Sequence, residues 1–315
     1  MRGAETDERA YMTTSDLDLD IGSKTTGSES PEGCNDPRLV EATYTLDGMV
    51  IAVLGAGKIG EALIAGLLRG GHKPEELLFT ARRADRALQL TEEYGVKSVE
   101  TWVAVDQADV LVVSVKPQDI DAMLEELSAG MAAHKLVVTV CAGLPTALFE
   151  RRLGDVPVVR VMPNTLMMVG EAMSVVAVGQ HATAEHVATV KTMFEYVGEV
   201  IELAEPQLDA VTALSGSGPA YFFYLVEAMI DAGILLGLPR GVAKKLIIQS
   251  AVGSAKMLDE SGEHPIILRE AVTSPAGTTI SAIRELENHG VRAALFAAIE
   301  AARDRSTELG KQYDN

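Results

Sequence analysis

Between residues 50 and 203 the chain alternates two patterns. Apolar runs rich in Val, Ile and Leu recur at 50–54, 77–80, 110–115, 136–140, 158–161, 174–178 and 200–203, each of strand length. Segments of helical spacing fill most of the intervals, including 84–94, 120–127 and 185–196. Runs such as Val110-Leu111-Val112-Val113 carry no polar alternation, and a strand apolar on both sides has to be covered on both faces. The pattern predicts an α/β fold, with a doubly wound, mostly parallel sheet of the Rossmann type.

The strand-like runs then stop. From 208 onward the sequence reads as helices at 221–236, 239–260, 265–272, 279–287 and 291–309. The expected boundary is Glu205-Pro206, with a sheet domain over 48–205 and an all-helical domain over 206–315. Several of these helices are rich in Ala, Leu and Ile on more than one face, and a domain of this size has little interior to offer them. Their association into a homodimer is expected. The charge-free stretch 210–226 is expected to be a buried helix rather than a membrane span, since Glu227 and Asp231 follow it.

Charge and composition narrow the partners. Over 315 residues the formal net charge is -18, which opposes binding to nucleic acid or to an anionic membrane. Residues 1–47 hold eleven acids against four bases among Ser, Thr and Gly, and are expected to be a disordered acidic extension. No signal-peptide pattern opens the chain, and the two cysteines, Cys34 and Cys141, give no disulfide framework. A reducing, cytoplasmic setting is expected. The six histidines show no ligand spacing, so no metal is assigned.

The first candidate chemistry lies at Gly55-Ala56-Gly57-Lys58-Ile59-Gly60, between the first apolar run and a helical stretch. Strand, glycine turn and helix in that order suit a dinucleotide pyrophosphate. Gly55 permits the tight turn, Gly57 lets backbone approach the phosphates, and Gly60 lets the helix pack on the strand. At the end of the second run, Thr80 leads into Arg82 and Arg83, with no acid until Asp85. Guanidinium groups there suit a ribose 2′-phosphate, favouring NADPH, with NADH as the second donor. Solvated side chains opening the next helix are the competing reading.

Three further motifs close strands and should line the same crevice: Val115-Lys116-Pro117, Cys141-Ala142-Gly143, and Pro163-Asn164, whose amide both donates and accepts. Ala213-Leu214-Ser215-Gly216-Ser217-Gly218-Pro219-Ala220-Tyr221 joins the two halves through small residues that allow close backbone approach. The last motif, Thr273-Ser274-Pro275-Ala276-Gly277-Thr278-Thr279, sets four hydroxyls around a Pro-x-Gly turn at a helix start. Free N–H groups and the helix dipole make such a start suited to a small carboxylate, held by Ser274, Gly277, Thr278 and Thr279. An ordinary helix cap reads the same.

Together and in this order these motifs resemble the pyrroline-5-carboxylate reductase family over residues 49–309. The two most specific are Leu-Ser-Gly-Ser-Gly-Pro-Ala-Tyr and Ser-Pro-x-Gly-x-Thr-Ile. The resemblance implies a Rossmann domain, an intertwined helical dimerisation domain, often rings of dimers, and reduction of the cyclic imine 1-pyrroline-5-carboxylate to L-proline by NADPH or NADH. It implies that Thr279 hydrogen-bonds the ring nitrogen and acts in catalysis. Two positions depart from the family pattern. Ala276 stands where glycine is usual, and Leu166 follows Asn-Thr where proline is common.

Two other readings stay open. A β-hydroxyacid dehydrogenase shares the two-part layout, but Lys244-Lys245-Leu246-Ile247-Ile248 lacks the asparagine that family places after its lysine. A nucleotide-sensing regulator without chemistry is the other.

Overall fold

The computed structural model describes residues 45–313. Eight strands form one sheet: β1 (Ile51–Leu54), β2 (Leu77–Thr80), β3 (Lys97–Ser98), β4 (Val110–Val113), β5 (Leu136–Thr139), β6 (Val158–Met162), β7 (Ala172–Val178) and β8 (Gly198–Glu202). Their order is β3-β2-β1-β4-β5-β6-β7-β8. The connecting helices are α1 (Lys58–Arg69), α2 (Ala84–Tyr94), α3 (Thr101–Gln107), α4 (Ile120–Ser128), α5 (Thr146–Leu153) and α6 (Ala184–Glu195). Successive strand residues face opposite sides, so the continuous apolar runs feed two cores. Ile51, Val53, Phe79 and Val112 meet α1, α2 and α6 on one face. Ala52, Leu54, Leu111 and Val113 meet α3, α4 and α5 on the other.

The expected doubly wound sheet is present, with two differences. β3 is a two-residue edge strand with no apolar run to announce it. β6 and β7 pair antiparallel, whereas every other neighbouring pair is parallel. The link between them, 163–171, is too short for the crossover that a parallel pair needs, so the chain reverses instead. β7 and β8 are joined through α6 and run parallel again.

Beyond β8 come α7 (Leu208–Val211), a π-helical turn (Thr212–Gly216), α8 (Gly218–Leu235), α9 (Arg240–Ser261), α10 (Pro265–Ala271), α11 (Thr278–Asn288) and α12 (Val291–Gly310). The expectation that 210–226 lies buried is corrected: α8 has no buried residue. The helical run from Glu205 to Leu235 is long and apolar enough to cross a membrane by length and composition, with none of its most apolar window buried. Phe222, Phe223, Tyr224, Leu246, Val252 and Phe296 are likewise exposed. In an isolated chain these helices have too few partners, which is the state expected of an interface awaiting a second subunit.

Two junctions tie the halves together. Arg160, a charge inside an apolar strand, is buried and pairs through Nη1 with Glu205 at 3.2 Å. The Glu205 carboxylate also accepts from the Thr146 amide and hydroxyl at 2.8 and 2.7 Å. Farther on, Asp209 of α7 accepts from Ser306 and Thr307 of α12, each at 2.7 Å. The acidic extension falls up to Tyr44, with Cys34, outside the described residues. Near its expected end, Leu46 belongs to the same buried cluster as Ile51.

Candidate active site

The carboxyl ends of β1, β2 and β4 open into a crevice of about 1240 Å³ at the point where strand order reverses. The glycine turn forms its floor, and each glycine has its own reason. Gly55 has φ +99, and a Cβ there would lie 2.8 Å from the Ser114 carbonyl. Gly60 sits where a Cβ would meet the Gly55 carbonyl at 2.6 Å, so α1 can approach β1 only without a side chain. At Gly57 a Cβ would meet nothing within 4 Å. That open space above the backbone is what a pyrophosphate needs, and α1 begins there with no side-chain cap.

Thr80 secures the turn: its hydroxyl accepts from the Gly55 amide at 3.1 Å and its carbonyl from the Ala56 amide at 3.0 Å. Arg82 and Arg83 line the crevice next, both largely exposed. Arg82 reaches across to Asp119 at 2.7 Å, and Arg83 pairs with Asp85. The bond from Arg83 holds the Asp85 carboxyl down at about 2. Arg86, which the sequence reading missed, pairs with Glu61 of α1 and donates weakly to the Ala56 carbonyl at 3.4 Å. Its place in the first turn of α2, just after Arg82 and Arg83, was the available signal.

Of the other expected cofactor residues, Val115 and Lys116 line the crevice. Lys58, Ile59 and Gly60 belong to the first turn of α1 beneath it, and Pro117 opens the short turn after Lys116. Ala142 and Gly143 lie outside the lining; Gly143, with φ +76, packs against the end of α12. Cys141 and Asn164 have their side chains engaged within the protein. The Cys141 thiol is buried and donates to the Val115 carbonyl at 3.2 Å, and burial pushes it up to about 11. It is a packed side chain in the core. Asn164 has both ends of its amide engaged within the protein, donating to the Ser215 carbonyl at 3.1 Å and accepting from the Leu166 amide at 3.1 Å. It therefore holds the Ser-Gly-Ser-Gly segment against β6, where Gly216 approaches Met162.

The threonine-bearing turn is formed as a helix start. Gly277 is the N-cap of α11, without a side-chain cap, and a Cβ on it would collide with the Ser274 hydroxyl at 2.3 Å. Ala276 has φ +56, the one non-glycine residue with positive φ among those described. Ser274 and Thr278 are exposed, while Gly277 and Thr279 are half-buried. None of the four lines the crevice, and α11 packs chiefly on α12.

Comparison with known proteins follows the same division. Residues 205–309 match the family described as pyrroline-5-carboxylate reductase dimerisation, and residues 50–143 match NADP oxidoreductase coenzyme F420-dependent. Pyrroline-5-carboxylate reductase of Corynebacterium melassecola is 46% identical over 266 residues, covering 83% of this chain and 98% of its own. The solved pyrroline-5-carboxylate reductase of Coxiella burnetii superposes with a TM-score of 0.78 at 33% identity, over 83% of this chain and 98% of that one. The Plasmodium falciparum pyrroline carboxylate reductase, solved with NADP bound, gives 0.77 at 27% identity, over 84% and 98%. With the glycine crevice, the exposed helical half and these relatives in agreement, the chain belongs to the pyrroline-5-carboxylate reductase family of NAD(P)H-dependent oxidoreductases, and its helical half carries the family's dimerisation region.

Proposed function

We propose that this protein reduces 1-pyrroline-5-carboxylate to L-proline with NADPH, in a site completed by a second subunit. The observation that carries this reading is the pair of half-sites: a glycine crevice edged by arginines, and an uncapped, hydroxyl-rich helix start that does not reach it within one chain. The domains are read as an acidic N-terminal extension over 1–47, an NADP-binding domain over 48–205 and a substrate-binding and dimerisation domain over 206–315. In the dimer, Thr279 of the partner subunit would face the crevice. Assembly of dimers into a larger ring and a cytoplasmic location complete the proposal.

The chemistry divides between few groups. The nicotinamide, when bound, supplies a hydride to the imine carbon, while the nitrogen takes a proton. Gly55, Gly57 and Gly60 would admit the pyrophosphate, Arg82 and Arg83 would exchange their carboxylate partners for the 2′-phosphate, and Lys116 would line the same crevice. The first-turn N–H groups of Thr278 and Thr279, with the Ser274 hydroxyl, would hold the substrate carboxylate beside Gly277, whose own amide donates to the Ser274 carbonyl at 3.1 Å. Thr279 donates to the ring nitrogen and orients the C=N carbon toward the hydride. Such positioning is the protein's main contribution to rate.

The test is loss of reduced-nicotinamide absorbance with 1-pyrroline-5-carboxylate, against a 3-hydroxy acid run in the reverse direction with NADP. Imine-dependent oxidation of NADPH that falls in Thr279→Ala, with cofactor affinity retained, is expected. Turnover of the hydroxy acid alone would favour a hydroxyacid dehydrogenase, and binding without turnover a sensor.

A further inference from the structure

The C-terminal end of α12 is seated on the backs of two loops that follow adjacent strands. The Tyr313 hydroxyl donates to the Pro117 carbonyl at 3.3 Å, and its ring packs half-buried on the core beneath α4 and α5. Arg151 of α5 donates to the Tyr313 carbonyl at 2.7 Å, so the residue is held at both ends. Just before it, a Cβ on Gly310 would lie 3.0 Å from the Gly143 carbonyl, and one on Gly143 would lie 3.3 Å from Leu309 Cβ. The helix cannot slide at this point, because Ser306 and Thr307 bind Asp209 one turn earlier. Its tip therefore reports the place of the helical half to the loops after β4 and β5.

We infer that Tyr313 is a positioning residue for the nucleotide: its hydroxyl fixes the Pro117 carbonyl from behind and so sets the Lys116 wall of the crevice. Lys116 lines the crevice on the opposite side of the same turn, in which the Asp119 amide bonds the Lys116 carbonyl and the Ile120 amide bonds that of Pro117. A two-ended tether at Pro117 narrows the conformations of that turn before any ligand arrives. A prepared wall binds more tightly than one that must be ordered on binding. The matched dimerisation region ends at 309, just before Gly310 and Tyr313. The inference rests on the nucleotide reading of the crevice.

Two variants and a ligand-free measurement test it. Tyr313→Phe removes the hydroxyl alone, and Arg151→Gln frees the Tyr313 carbonyl without touching the ring. In the nucleotide-free dimer, hydrogen–deuterium exchange over residues 116–120 should quicken in both, with the melting midpoint kept. NADPH affinity, followed by its fluorescence without imine, should fall about two- to fivefold, the effect of one modest hydrogen bond. KM for NADPH should follow, with kcat and the imine KM unchanged. Wild-type exchange in Tyr313→Phe would overturn the tether, and quickened exchange with unaltered NADPH affinity would overturn its role in binding. If the wild-type protein binds no NADPH, the crevice reading fails separately, and the exchange data still decide the tether.

Discussion

Ala276 carries the one strained backbone among the described non-glycine residues, at the turn expected to hold the substrate carboxylate. A left-handed residue with a Cβ costs about 1–2 kcal/mol, partly offset here because glycine would lose more entropy on folding. Ala276→Gly should therefore leave the melting midpoint level or slightly raised and keep the imine KM, whereas Ala276→Val, branched at Cβ, should raise that KM at least about tenfold. Arg82 and Arg83 are each paired with a carboxylate, which each would have to leave to take the proposed phosphate. Replacing both with alanine should weaken NADPH by about tenfold or more and NADH far less, checked by titration with the two cofactors. The crevice glycines were legible because their constraint is local and steric. The side-chain partners of Cys141 and Asn164 were not, because Val115 and Ser215 are distant from them in sequence. Burial also makes a prediction for Cys141. With its proton retained to about 11, against the ordinary 9, the native thiol should resist alkylation at pH 8, and the peptide carrying it should be labelled only in denaturant. The sign for stability follows. Above about pH 9 the unfolded thiol loses its proton first, so this contribution is full below that pH and declines as pH rises toward 11.

Elements were read well where one face or both faces of the pattern were unambiguous. α2 falls at its expected ends, and seven strands lie within a few residues of theirs, because most strands are buried on both faces and nearly all their inward positions are apolar. β3 escaped notice because two residues at an edge need no apolar run, and the antiparallel step at β7 is decided by loop length rather than by the strand's own residues. The close seating of α1 on β1 is the element on which the crevice most depends. Gly60→Ala would place a methyl group 2.6 Å from the Gly55 carbonyl, so α1 has to shift outward. Overpacking of that kind costs about 1–3 kcal/mol. The melting midpoint should fall and NADPH affinity with it, while Gly57→Ala, facing open space, should spare the midpoint and lower affinity alone.

A sequence shows which helices are too apolar to stand alone, but not whether their cover lies within the chain or on another copy. That is why 210–226 reads as buried yet emerges exposed along α8. The same ambiguity affects the active site, since the helix start at Thr279 and the crevice at Gly57 remain apart in one chain. If a twofold dimer joins them, each site draws its cofactor half from one subunit and its imine half from the other. Inactivating the halves on different chains then has a distinctive consequence. Thr279→Ala homodimers would lack the donor to the imine, and Gly57→Trp homodimers would exclude the pyrophosphate, so both should be nearly inactive. Exchange of the two in equal amounts makes half the dimers mixed. Each mixed dimer would hold one site with both defects and one with neither, restoring about a quarter of wild-type sites. A site built within a single chain would restore none, because every chain carries one defect. Turnover of 1-pyrroline-5-carboxylate by the unfractionated mixture after subunit exchange, with mixed dimers verified by a different tag on each variant, distinguishes the two arrangements. Recovery near that fraction places Thr279 across the interface from the glycines, and continued inactivity of verified mixed dimers means that α11 must reach its own crevice by a different packing of the helical half.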